Sequence, residues 1–116
     1  MSKNKYKGKI GFVFDKDLGI NNSDRGHYVY VREDNGDILK INIITSLEDK
    51  CHKLNESRIN KIKKGYLYPI PVKDTNLPRW SAFDLTTKTI NKNKICDIDR
   101  KKVKSKHKWF VGKFSK

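Results

Sequence analysis

The stretch RGHYVYVREDNGDILKINIITS, Arg25 to Ser46, carries the strongest local constraint in the chain, the pair Asn35-Gly36. Both residues of a two-residue type I′ turn need positive φ, and Asn-Gly supplies it at least cost. The pair lies between two runs rich in β-branched and aromatic residues, so a β-hairpin is expected. Centring the turn on Asn35-Gly36 sets Tyr30 opposite Ile41 and Tyr28 opposite Ile43, an apolar face expected to look into the core. The same count sets Val29 opposite Asn42, His27 opposite Ile44 and Arg25 opposite Ser46, with Thr45 beside them. Polar groups distant in sequence would then meet at the open end of the hairpin, where opposed Cβ atoms lie about 5 Å apart. A bulge would move the register by one and exchange Thr45 with Ser46.

At 116 residues the chain has room for one domain. Its net charge of +14 repels its own kind and draws polyanions. Nucleic acid is the leading partner class, an acidic protein the second and a membrane surface the third. No run approaches the length of a transmembrane helix or a signal peptide, so a cytoplasmic protein is expected. Cys51 and Cys96 then read as reduced thiols. The pair Cys51-His52 lacks the partner cluster that a metal site needs, and no metal or other cofactor is expected.

Along the chain, residues 1–7 read as a basic leader and residues 8–99 as the folded domain. GKIGFVF forms a first strand with Ile10, Phe12 and Phe14 on one face. A loop from Asp15 to Asp24 leads into the hairpin. Asn55–Gly65 reads as a short helix, with Ile59 and Ile62 on one face and Gly65 at its C′ position. Tyr66–Val72, with two prolines, suits an edge strand. Ser81–Ile90 is a further strand and Lys94–Asp99 a weak sixth. Residues 100–116 carry eight Lys or Arg and no acidic residue, a basic tail. Five or six short strands with one or two short helices point to a mainly β fold, a small antiparallel barrel.

The order of these pieces resembles the MazF/PemK superfamily of toxin endoribonucleases, whose fold is an SH3-like or CcdB-like barrel. The resemblance rests on GKIGFV as the opening strand, RGHYVYV after the first loop, INIITS closing the hairpin and WSAFDLTTKTINKNKI later on. It covers roughly Gly8 to Ile98. Gly26-His27 stands where the family carries Pro after its Arg. The Glu often found before that Arg is absent, with Asp15, Asp17 and Asp24 nearby. A basic tail replaces the usual C-terminal amphipathic helix.

The resemblance implies a metal-independent endoribonuclease that cuts single-stranded RNA, held silent by a cognate antitoxin, either an acidic protein or an RNA. It also allows a homodimer. The family's positions beside the scissile phosphate fall on Arg25 and Thr45, with Ser46 adjoining. An arginine fork grips two phosphate oxygens, and a hydroxyl donates to the developing phosphorane oxygen. His27 is the candidate acid or base, since imidazole titrates near neutrality. RNA contacts are expected from Lys16, Arg79, Trp80, Lys88, Arg100, Lys101, Lys102 and Lys104.

Each of these residues also has a plain structural reading. Arg25 can be an ordinary loop arginine, Thr45 and Ser46 can cap a strand, and His27 can be a half-buried strand histidine. Trp80 either stacks on a base, as in single-strand binders, or plugs the barrel. Trp109 and Phe110 are expected to dock the tail on the barrel. The competing function is a non-catalytic barrel that binds nucleic acid or a partner protein, such as a phage or plasmid regulator.

Overall fold

A computed structural model describes residues 6–19, 25–48, 51, 53–71, 73, 79–102 and 105–115. The chain forms β1 (Lys9–Phe14), β2 (Gly26–Asp34), β3 (Ile38–Ser46), α1 (Glu56–Lys63), β4 (Leu67–Ile70), β5 (Ser81–Asn91), β6 (Cys96–Lys102) and α2 (Ser105–Phe114). The fold is mainly β. One antiparallel sheet runs in the order β4-β5-β3-β2-β1-β6. The proline-bearing β4 is an edge, where Pro69 costs no ladder bond that a central strand would need. The helix α1 starts where expected, its Asn55 side chain accepting from Arg58 N at 3.1 Å.

The hairpin forms, but its turn sits one residue further on. Asn35 N donates to Ile38 O at 3.0 Å, so Gly36 and Asp37 occupy the centre, with Gly36 at φ 98°. A glycine of positive φ at the first central position is what the primed hairpin turns require. Asp34 explains the choice: its Oδ1 accepts from Gly36 N at 2.9 Å and fixes the turn from outside. The register then changes between Val31 and Glu33, leaving Arg32 as an extra residue on β2.

Beyond that bulge Val31 faces Ile41, Val29 faces Ile43 and Tyr30 faces Asn42. The expected opposition of tyrosines to isoleucines is therefore wrong by one residue, which exchanges the faces. Both faces of the sheet are in fact buried. Val13, Val29, Val31, Leu39, Ile41, Ile43 and Ile90 pack on one side. Ile10, Tyr30, Ile44, Ile70, Phe83 and Leu85 pack on the other, beneath α2.

The basic run at 100–116 is structured where it is described. β6 crosses the expected boundary at residue 99 and reaches Lys102. In α2, Val111 is fully buried, Phe110 stacks on Tyr68 at 4.2 Å, and the buried His107 bonds Tyr68 Oη through Nδ1 at 2.7 Å. Phe110 docks as expected, whereas Trp109 points outward, 62% exposed. Among the described residues no helix is long and apolar enough to cross a membrane.

Gly26 opens β2 opposite Phe14. A Cβ there would fall within 2.6 Å of Val13 O and collide with the Phe12 ring. Neither the backbone nor a packed ring gives way cheaply. Gly26→Ala is expected to destabilise the fold by about 2 kcal/mol, as overpacking does. Urea denaturation checks it, and an unchanged midpoint would contradict the contact.

Candidate active site

The open end of the β2–β3 hairpin, the first turn of α1 and the start of β5 enclose a cavity of about 320 Å³. Its polar lining comprises His27, Thr45, Ser46, Arg58, Arg79 and Ser81, with Phe12, Tyr28 and Ile44 among its apolar walls. Three of the four expected catalytic residues therefore meet. The strand pairing brings them there: His27 lies against Val13 in β1, Thr45 against Ala82 and Ser46 against Ser81 in β5.

His27 is not alone. Its Nδ1 lies 2.7 Å from Asp15 Oδ1, with the imidazole 28% exposed and the carboxylate 7% exposed. An ionised carboxylate only accepts, so Nδ1 carries the proton and Nε2 is the nitrogen left to exchange protons. Asp15 opens a short 3-10 turn after β1, and its backbone N donates to Arg25 O at 2.8 Å. That bond closes the loop and sets the carboxylate beneath the histidine. An acidic residue thus supports the site from ahead of the loop, ten positions before Arg25 in sequence.

Arg25 corrects the expectation most clearly. It is exposed, precedes β2 and does not line the cavity. The turn at Gly36-Asp37 moves the pairing count by two and the bulge at Arg32 returns one, so the same count carries Arg25 past Ser46. The cavity's guanidinium groups come instead from Arg79, an expected RNA contact, and from Arg58, which sequence reasoning missed. Arg58 Nη1 donates to the Ser46 carbonyl, so the helix is tied to the end of β3. Its signal was present: Arg58 is four residues before Ile62, which packs on Leu47, Leu67 and Ala82, and i, i+4 residues share a helix face.

The other expected RNA contacts are dispersed. Trp80 is 36% exposed and outside the cavity lining, its N donating to Glu48 Oε1 at 3.1 Å. Lys16 is exposed, its Nζ 5.9 Å from the centre of the Phe14 ring. Lys88 Nζ donates to Leu18 O at 3.1 Å and is committed to the first loop. Arg100, Lys101 and Lys102 fall on β6, while Lys104 lies outside the described residues, as does His52 of the Cys51-His52 pair.

An imidazole, two guanidinium-bearing residues and the hydroxyl residues Thr45 and Ser46 line one space that could seat a phosphodiester, while the Ser81 hydroxyl donates to Arg79 O at 2.9 Å. No protein-family model matches the chain, and no curated protein does either.

Proposed function

We propose that the protein is an endoribonuclease that cuts single-stranded RNA at this cavity, as the toxin of a toxin–antitoxin pair. One observation carries the reading: His27, paired with Asp15, lines the same cavity as Arg58, Arg79, Thr45 and Ser46. The resemblance in strand order to the MazF/PemK toxins supports it, as does the charge of +14.

In this reading His27 Nε2 takes the proton of a ribose 2′-OH. The 2′-oxygen attacks the adjacent phosphorus and the bond to the 5′-oxygen breaks. The imidazolium returns its proton to that oxygen, leaving a 2′,3′-cyclic phosphate and a 5′-OH. Asp15 holds the ring and offsets its transient charge. Arg79 and Arg58 balance the extra negative charge of the phosphorane, and the Thr45 or Ser46 hydroxyl donates to its oxygen. The partner that silences such a surface is an acidic antitoxin protein or an RNA.

Arg58 favours a second reading, because its donation to the Ser46 carbonyl is also a structural tie. A non-catalytic nucleic-acid-binding domain would keep the charge and lack the rate. Arg79→Ala and Thr45→Val separate the two. Each is expected to lose on the order of a hundredfold in cleavage rate, the typical cost of one transition-state donor. The double variant is expected to lose little more, since both groups serve one phosphate. Wild-type rates in both variants would overturn the cleavage reading at this cavity.

A further inference from the structure

On the opposite side of β2's bulge lies a second cavity, of about 480 Å³, where the chain entering β1 and strand β2 meet α2. Lys7, Arg32 and Lys108 supply three cations to its wall, against one acid, Glu33, whose carboxylate is 3.4 Å from Lys40. The bulge leaves Arg32 partly committed. Its Nη2 donates to Thr87 Oγ1 at 2.7 Å, while its Nε is buried without a hydrogen-bond partner. Nε is enclosed by the fold and does not reach the cavity, so Arg32 acts on an anion there through its charge.

Two glycines give the cavity its room. Gly8, at φ 82°, lets the Lys108 ammonium approach the backbone, where a Cβ would sit 3.0 Å from Nζ. A Cβ at Gly112 would meet no atom within 4 Å, so the helix wall there is bare. Trp109, the most exposed large apolar side chain in the described residues, lines the same cavity. Lys113 Nζ sits 4.9 Å from the indole centre. Cations around a pocket with an exposed indole at its wall are what strand binders use to hold a phosphate and stack its base.

We infer that this cavity binds single-stranded nucleic acid, one phosphate among Lys7, Arg32 and Lys108 with its base against Trp109. The inference does not depend on cleavage at the His27 cavity. The probe is therefore a fluorescent 2′-O-methyl oligoribonucleotide of about ten nucleotides, which has no 2′-OH to attack and falls within known strand-binding site sizes. Affinity is read by anisotropy across a salt series.

Gly112→Leu removes no charge and fills the cavity, and replacing a helical glycine does not weaken the helix. It is expected to raise Kd about tenfold, in line with the loss of one stacked base. Trp109→Ala, at an exposed position, is expected to do the same. Lys108→Gln is expected to weaken binding and lower the slope of log affinity against log salt by about one. Wild-type affinity in both Gly112→Leu and Trp109→Ala would overturn the site and leave only a diffuse field of charge. A nucleoside monophosphate or inorganic phosphate that binds this cavity as tightly as the strand would also overturn it, by assigning the pocket to a free phosphate ligand.

Discussion

His27→Ala is expected to abolish RNA cleavage, with a loss between about a hundredfold and ten-thousandfold, the range that positioned acid–base groups supply. The replacement also leaves Asp15 buried without its partner, which costs about 1–3 kcal/mol of stability. Loss of rate alone would therefore be ambiguous. Asp15→Asn resolves it, because the amide oxygen still accepts from Nδ1 while the negative charge beside the ring is gone. Its rate is expected to fall while the melting curve stays close to wild type. A His27→Ala variant that cuts RNA at the wild-type rate would remove the histidine from the chemistry altogether.

Asp34→Ala is expected to cause a large loss of stability, about 4 kcal/mol. The Asp34 carboxylate accepts from Lys92 Nζ at 2.8 Å, from Tyr6 N at 3.0 Å and from Gly36 N at 2.9 Å. Removing it takes the carboxylate away from a lysine side chain only 13% exposed and releases the turn that sets the hairpin register. Against a typical total of about 5–15 kcal/mol, such a loss is severe. Chemical denaturation measures it.

The same residue makes stability depend on acid. Burial pushes the Asp34 pKa up, but the Lys92 ammonium and the two backbone N–H donors outweigh it and hold the carboxyl below its ordinary value. A group lowered on folding contributes in full above its unfolded pKa of about 3.9. The contribution fades as pH falls through the lower folded value. Asp34→Asn is expected to be less stable than wild type at neutral pH and to lose that part of the acid dependence. A difference between the two that is constant down to strongly acid pH would contradict the ion pair.

Much of the fold was legible in the sequence because its signals are local. β1, β5 and α1 announce themselves by alternation, by the Asn55 cap and by Gly65 at the end of the helix. The register was not legible, because it is set by contacts far apart in sequence. Lys92 and Tyr6 hold Asp34, Asp34 holds the turn, and Arg32 bulges in consequence. One residue of slip moved Arg25 away from the cavity and kept His27, Thr45 and Ser46 in it. In the C-terminal run, the apolar face of His107, Phe110 and Val111 has helical spacing, yet the eight lysines and arginines around it read as a basic tail.

Transesterification at the His27 cavity is read most directly from the end groups of cleaved RNA. A single-stranded RNA with one cleavage site is incubated with the protein in chelator-containing buffer, beside the same strand carrying a 2′-deoxy residue at that site. A 2′,3′-cyclic phosphate and a 5′-OH are expected from the first strand, and no cut in the second. Intact RNA after long incubation with well-folded protein, or cleavage of the 2′-deoxy strand to a 5′-phosphate, would contradict transesterification.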